Sequence, residues 1–124
     1  MSRVVVDTHL VVWAAQGSDR LPPAAHAIMA ALVSAARLWE VAVKSGLGRP
    51  DFRVDAARLR KGLLQNGYRE LPVLGVHAVA TMTLPPLHKD PFDRILVAQA
   101  MVEGVLLLTA DAAFAAYGGP VRLV

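Results

Sequence analysis

Two kinds of apolar stretch alternate along this chain. Short runs rich in apolar residues predict strands, and those without polar alternation are typical of strands buried on both faces. The predicted strands are residues 3–6, 32–35, 67–73, 105–109 and 121–124. Longer stretches with helical spacing predict helices at residues 10–15, about 24–32, 36–47, 52–66, 76–82 and 91–102. Because parallel neighbours need crossover connections, this alternation implies an α/β fold with helices on both faces of a parallel sheet.

The helix over residues 91–102 carries the clearest end signals. Asp90 suits the N-cap, Pro91 suits the first helical position because its missing N–H would be unpaired there, and Gly104 ends the helix. Asp93 lies three residues after Asp90, where the partial positive charge of a helix N-terminus favours a carboxylate. Stabilisation of the helix N-terminus readily explains one of these two acids. It explains the presence of both less well.

Two further acids follow predicted buried strands. Asp7 follows the first strand and Asp111 follows the strand at residues 105–109. In open α/β sheets the ligand crevice lies at the carboxyl ends of the strands, so both acids are candidates for chemistry, although each can also cap the next helical turn. Connectivity alone does not place Asp93 beside them.

Glu40 lies within the helix at residues 36–47, which we expect to be buried on several sides. The residues that extend its apolar surface around the helix are Trp39, Val43 and Leu47. A buried carboxylate is costly unless it is paired or bound to a metal ion. Lys44, four residues on, is one partner for Glu40, and a metal ion is the other.

Composition narrows the class of protein. The chain has 124 residues, of which 55% are hydrophobic and 19% charged, so a single domain with its own core is expected rather than disorder. There is no cysteine, which favours a cytoplasmic setting and leaves oxygen or imidazole ligands for any metal. The net charge of +3 permits a polyanionic partner without requiring one.

No segment is expected to cross or enter a membrane. The start of the chain lacks a signal-peptide pattern, because Asp7 interrupts its apolar run. The apolar region at residues 24–43 contains His26, Arg37 and Glu40, which fits helices joined by a short strand better than a membrane span.

Several carboxylates together suit a hard cation such as Mg²⁺ or Mn²⁺, since these ions prefer oxygen ligands. Such sites serve phosphoryl chemistry because the metal lowers the pKa of bound water and neutralises charge on a phosphate oxygen.

Four motifs in order along the chain resemble those of a PIN-domain ribonuclease, and within that family the VapC-like toxins of toxin–antitoxin pairs. The motifs are Val5-Val6-Asp7-Thr8-His9, Ser34-Ala35 with Leu38-Trp39-Glu40-Val41-Ala42-Val43-Lys44, His88-Lys89-Asp90-Pro91-Phe92-Asp93-Arg94 with Ala98-Gln99-Ala100, and Leu108-Thr109-Ala110-Asp111. The resemblance covers nearly the whole chain, and four motifs in order are far more specific than any one.

The resemblance implies a single PIN domain over residues 1–124, a three-layer α/β/α sandwich with a central parallel sheet. It matches Asp7, Glu40, Asp93 and Asp111 to the family's metal-binding catalytic acids, and so places Asp93 at the site. It further implies an endoribonuclease that uses Mg²⁺ or Mn²⁺ to cleave an RNA substrate, forms a homodimer and is bound by a cognate antitoxin protein.

The resemblance leaves the auxiliary residues with alternative roles. For Asp90, capping is preferred over metal ligation, with a water-mediated contact as a third role. Thr8 and Thr109 resemble hydroxyls that orient Asp7 and Asp111, while Arg94 and Lys44 either balance charge, touch substrate phosphate or serve as structural partners. His9 and His88 each lie two residues from a candidate acid, Asp7 and Asp90 respectively. Packing or loop roles are favoured for both, because metal-activated water needs no separate base.

Three other functions are alternatives to the endoribonuclease. A non-catalytic PIN scaffold that binds RNA or protein is opposed by the intact set of four acids. A dehalogenase-like phosphotransferase needs a second aspartate two residues after Asp7, where His9 stands. A nucleotide-binding fold is weaker still, since Gly46 and Gly48 follow a helix rather than a strand.

Overall fold

The computed structural model describes residues 3–7, 30–48, 54–87 and 90–124. The strands are β1 (Arg3–Val6), β2 (Ala30–Ser34), β3 (Arg69–Leu71), β4 (Leu106–Thr109) and β5 (Val121–Leu123). The helices are α1 (Ala35–Gly46), α2 (Ala56–Gln65), α3 (Gly75–Ala80) and α4 (Pro91–Glu103), with 3-10 turns at Thr81–Thr83 and Ala112–Tyr117. The predicted helix at residues 10–15, and the predicted roles of Thr8, His9 and His88, fall outside the described residues.

The five strands form one sheet in the order β3-β2-β1-β4-β5, and all neighbouring pairs are parallel. The central strand β1 pairs with β2 on one side and with β4 on the other, so that Val5 lies opposite both Leu32 and Leu107. The predicted parallel sheet is therefore confirmed. Its central strand is the one that carries Asp7 at its carboxyl end.

Side chains of β1 point alternately into two separate cores. Val4 and Val6 pack with residues of α1 and α2, including Leu38 and Leu59, on one face of the sheet. Val5 packs with α4 on the other face. Helices thus cover both faces, and the three-layer α/β/α sandwich is confirmed. Among the described helices, none combines the length and hydropathy needed to cross a membrane.

The predicted helix at residues 24–32 is wrong at its carboxyl end. Residues 30–32 belong to β2, where Ala31 and Leu32 lie opposite Val4 and Val5 of β1. Alanine favours a helix locally, but pairing with the central strand outweighs that weak preference. The remainder of this predicted helix lies outside the described residues.

The prediction that α1 is buried on several sides is also wrong. Leu38 and Val41 pack against the sheet, whereas Trp39 is 65% exposed and Val43 and Leu47 are exposed as well. The helix covers one face of the sheet and no described element covers its opposite side. Apolar residues all around a helix therefore do not indicate burial here; they leave an apolar stripe at the surface.

Capping residues set the remaining helix boundaries. Asp55 accepts hydrogen bonds from the backbone N–H groups of Ala57 and Arg58, so α2 begins at Ala56, later than predicted. Asp90 caps α4, and Gly104 ends it with a φ of 67°, as the sequence predicts. α4 consequently has a fixed first turn at the edge of the sheet where β1 ends.

Gln99, fully buried in α4, ties three parts of the fold together. Its side-chain oxygen accepts the hydroxyl of Ser34 at 2.6 Å, and its amide nitrogen donates to the carbonyl of Pro72 at 3.2 Å. Ser34 also caps α1 by accepting the N–H of Ala36. The side chain of Gln99 thereby links α4, the end of β2 and the segment after β3.

We expect Gln99→Leu to lower the free energy of unfolding by about 2 kcal/mol, because the buried Ser34 hydroxyl and the Pro72 carbonyl lose their partner. Urea denaturation measures the change. The matched control is Gln65→Leu on the exposed side of α2, which should stay within about 0.5 kcal/mol of the parent. Equal stability of the two variants would contradict a structural role for this link.

Candidate active site

A buried arginine lies at the centre of the acidic residues. Arg37 is 1% exposed, and its guanidinium contacts three carboxylates. Its Nη2 atom is 2.8 Å from Oδ1 of Asp7 and 3.1 Å from Oδ1 of Asp93, and its Nη1 atom is 2.6 Å from Oε1 of Glu40. Three of the four predicted catalytic acids are therefore brought together around one side chain.

Each of these side chains is positioned by the end or the face of an element. Asp7 follows β1, while Arg37 and Glu40 are three residues apart on the buried side of α1. Asp93 lies in the first turn of α4. A helix that connects parallel strands runs antiparallel to them, so its N-terminus lies at the carboxyl edge of the sheet. This geometry brings Asp93 to Asp7, which sequence connectivity had left unplaced.

Two further side chains hold the acids. Thr109 at the end of β4 donates its hydroxyl to Oδ2 of Asp7 at 2.7 Å and accepts the backbone N–H of Asp111 at 3.0 Å. It thus orients the carboxylate of Asp7 and also binds the backbone of Asp111. Lys44 lies 2.7 Å from Oε2 of Glu40, as the spacing predicts.

The charges at this site shift two pKa values. Burial alone would lower the pKa of Arg37, but Asp7, Glu40 and Asp93 outweigh it and hold that pKa above its usual value. Burial raises the pKa of Asp93, and the nearby carboxylates of Asp90 and Asp7 raise it further, while Arg37 opposes the rise. The net effect is a pKa of Asp93 above its usual value, so the surroundings disfavour the negative charge of this carboxylate.

Asp90 both caps α4 and belongs to the acidic group. Its Oδ1 atom accepts the backbone N–H groups of Phe92 at 2.8 Å and Asp93 at 3.4 Å, so the predicted capping role is confirmed. Carboxylate oxygens of Glu40, Asp90 and Asp93 also lie within 4.8 Å of one another. Among the described residues, these three and Asp7 make four carboxylates, against two cations, Arg37 and Lys44. Clustered oxygen donors with excess negative charge fit a hard divalent cation.

Asp111 and Arg94 lie apart from this arrangement. Asp111 follows β4, which neighbours β1, so it is at the predicted edge of the sheet. Its exposed side chain caps the following turn by accepting the N–H of Ala113 at 2.9 Å. Within the described ranges it joins neither the ion pairs of Arg37 nor the group around Asp90. Arg94 donates to the carbonyls of Thr81 and Pro85, which favours its structural role.

Sequence reasoning missed Arg37. The signal was present, because Arg37 precedes Glu40 by three residues and therefore shares its helix face. The sequence-based prediction pairs Glu40 with Lys44, four residues on, and does not include Arg37. An arginine in an apolar helix beside a buried acid is itself evidence for a buried ion pair.

A PIN domain family model matches residues 4–120. The chain accordingly belongs to the PIN domain family, as its motifs indicate, and the dehalogenase-like and nucleotide-binding alternatives are set aside. No curated protein matches the chain in sequence.

The fold is also similar to solved structures of toxin–antitoxin proteins. VapBC2 from Rickettsia felis, bound to a DNA fragment from its promoter, matches with a TM-score of 0.71 and 12% identity over 98% of each chain. A toxin–antitoxin complex from Klebsiella pneumoniae matches with a TM-score of 0.71 and 19% identity, over 96% of this chain and 95% of that chain. DNA-bound VapBC from Salmonella typhimurium matches with a TM-score of 0.67 and 13% identity, over 100% of this chain and 98% of that chain. At these sequence identities, the structural similarity establishes that the chains share a fold.

Two substitutions separate the capping role of Asp90 from its charge. We expect Asp90→Ala to lower the free energy of unfolding by about 1 kcal/mol, and Asp90→Asn to lower it less, because asparagine still caps. In both variants the pKa of Asp93 should fall, since repulsion from Asp90 raises it in the parent. Chemical denaturation and an NMR pH titration of the carboxyl carbons measure these effects.

The control is Asp55→Ala, which removes the cap of α2 away from the acids. It should cost similar stability and leave the pKa of Asp93 unchanged. An unchanged pKa of Asp93 in Asp90→Asn would contradict the electrostatic contact between the two acids.

Proposed function

We propose that this protein is a divalent-metal-dependent endoribonuclease that hydrolyses RNA phosphodiester bonds and acts as the toxin of a toxin–antitoxin pair. The observation that carries the proposal is the gathering of Asp7, Glu40 and Asp93 at the carboxyl edge of the sheet, with Asp90 beside them. Membership of the PIN domain family supports it.

The acids proposed to hold Mg²⁺ or Mn²⁺ are Asp7, Glu40, Asp93 and Asp111. Glu40 and Asp93 have the strongest support, because their oxygens lie close together and both contact Arg37. Asp90 is a further candidate on the same ground, and Asp111 rests on the family motif alone. When bound, such an ion lowers the pKa of a water molecule and neutralises charge that builds on a phosphate oxygen.

The protein's own residues would prepare this site for an RNA phosphate. Thr109 fixes the carboxylate of Asp7, and the capped first turn of α4 fixes Asp93. Lys44 is partly exposed beside Glu40, where its ammonium can attract the phosphate backbone as well as hold the acid. Together these contacts orient the acids before any substrate arrives.

An antitoxin is the partner we propose for the surface next to the acids. Trp39 and Phe92, which contact each other edge to face at 5.1 Å, line a largely apolar groove of about 580 Å³. Each directly precedes an acid in sequence, Glu40 and Asp93 respectively. None of the acids lines the groove, so a protein partner that also covered them would extend beyond it along the first turn of α4. The three solved structures of similar fold are toxin–antitoxin assemblies, which supports such a partner.

We also propose a homodimer that acts in the cytoplasm. Val76, Val79 and Met82 are exposed on α3 and the turn after it, and a second copy of the chain would cover them. The proposed RNA substrate and the lack of cysteine agree with a cytoplasmic setting.

One observation favours the alternative of a non-catalytic PIN scaffold. The guanidinium of Arg37 already neutralises part of the acidic group, which a binding protein without a metal would need for its stability. The two functions differ in whether RNA is cut when a metal ion is supplied.

Cleavage of total cellular RNA by the purified protein, freed of any antitoxin, tests the proposal. We expect cutting with Mn²⁺ or Mg²⁺ and none with chelator. Asp7→Asn and Asp93→Asn should each reduce the rate by at least about 100-fold, because each removes a carboxylate from the proposed site. Asp90→Asn should be milder, since its cap persists.

Asp55→Asn changes an exposed capping acid that belongs neither to the ion pairs of Arg37 nor to the group of Glu40, Asp90 and Asp93, and it should cut at the parent rate. Metal-dependent cutting that survives in both Asp7→Asn and Asp93→Asn would point to a contaminating nuclease. A folded protein that binds RNA but never cuts it would favour the scaffold.

A further inference from the structure

Arg37 occupies the space between the acids that the proposed metal ion requires. Its Nη2 atom lies between Asp7 and Asp93, and its Nη1 atom lies against Glu40. Divalent cations such as Mg²⁺ bind carboxylate oxygens at about 2.0–2.1 Å. An ion held by those same three oxygens would therefore overlap the guanidinium, so the two cations cannot share the position.

The contacts of Arg37 show what holds it there. All its hydrogen bonds within the described part of the chain go to the acids, and its buried Nε atom has no partner among those residues. A structural arginine in a permanent site usually has its donors satisfied. Within the described residues, the guanidinium is thus held only by the carboxylates that contact its Nη atoms. A cation of higher charge can replace this electrostatic attraction.

Within the described ranges, the acids outnumber the cations even with Arg37 in place. Four carboxylates face Arg37 and the partly exposed Lys44, which is 42% exposed at its side chain. A divalent ion carries twice the charge of the guanidinium, so it neutralises the group more completely.

We infer, on the basis of the proposed function, that Arg37 is an internal counter-ion of the acidic site. It keeps Asp7, Glu40 and Asp93 assembled when no metal is present, and the metal displaces its guanidinium from Asp7 and Asp93 on binding. Arg37 is then a positioning residue that weakens metal affinity in exchange for a preformed site. The rival arrangement leaves Arg37 in place, with the ion beside it on the other oxygens of Glu40, Asp90 and Asp93.

Calorimetric titration of Mn²⁺ into Arg37→Gln and the parent chain distinguishes these arrangements. Loss of the competing charge should lower the Kd for Mn²⁺ by about tenfold or more, since one nearby charge changes the affinity of such a site for a cation by that order. Lys44→Gln is the matched control, because it removes the positive charge that pairs with Glu40 but leaves Arg37 in place. Its effect should stay below about threefold, because a partly exposed charge is screened.

NMR of the arginine side chains in the parent protein provides a second measurement that does not depend on the variant being folded. In the metal-free protein the Nη hydrogens of Arg37 should exchange slowly, and Mg²⁺ should release them to fast exchange at the concentration that saturates the site. Arg60, paired with Glu70 away from the acids, serves as the internal reference whose resonances should not move.

Tighter binding of Mn²⁺ by Arg37→Gln together with release of Arg37 by Mg²⁺ supports the inference. Equal or weaker binding by Arg37→Gln, or saturation by Mg²⁺ with the Arg37 resonances unchanged, overturns it while the proposed nuclease stands. Absence of binding to the folded parent and to the variant overturns the metal-dependent function and this inference with it.

Discussion

Carboxylates from separate elements can share one buried corner only if positive charge holds them there. In this protein that charge is Arg37, whose guanidinium joins the end of β1, the buried side of α1 and the first turn of α4. Loss of one partner from a buried ion pair typically costs about 3–5 kcal/mol, because the remaining charges are left in a poorly solvated place. Arg37 therefore ties the central strand to one helix from each face, in addition to the two apolar cores that pack them. That side chain contributes to the packing of the fold as well as to its electrostatics.

The parallel sheet supplies the frame in which this charge acts. β1 lies at its centre, so Asp7 emerges between neighbours on both sides, with Thr109 of β4 within hydrogen-bond distance. α1 begins directly after β2, where Ser34 caps it, and this short connection fixes the rotation that turns Arg37 and Glu40 toward the strand ends. α4 is fixed by Asp90 at its start and by Gln99 in its middle. Backbone topology and buried polar contacts thus converge on the same edge of the sheet.

The sequence predicted most of this frame, and its errors have physical causes. Apolar runs located β1 and β4, and capping residues located α4, because those signals are local. The pairing of residues 30–32 into β2 depends on the neighbouring strand, which no local preference of alanine reveals. The exposure of Trp39 depends on which side of α1 the sheet covers. At the site, the motifs led to Asp7, Glu40 and Asp93. The spacing of three residues indicates that Arg37 pairs with Glu40, but the contacts of Arg37 with Asp7 and Asp93 arise only once the acids meet in space. Asp111 matches its motif in sequence, yet its carboxylate caps a turn instead of joining the described group.

The hydrogen bond between Thr109 and Asp7 joins residues 102 positions apart in the chain. During synthesis on the ribosome, Asp7 emerges early, whereas the strand that flanks it and supplies its threonine emerges near the end of this sequence. Parallel pairing between strands so far apart is slow to form and takes place when the domain folds as a unit. The acidic corner is consequently absent from the nascent polypeptide until β4 has emerged and paired with β1. Any chemistry at these acids therefore begins only after β4 has left the ribosome, so the order of synthesis delays assembly of the site.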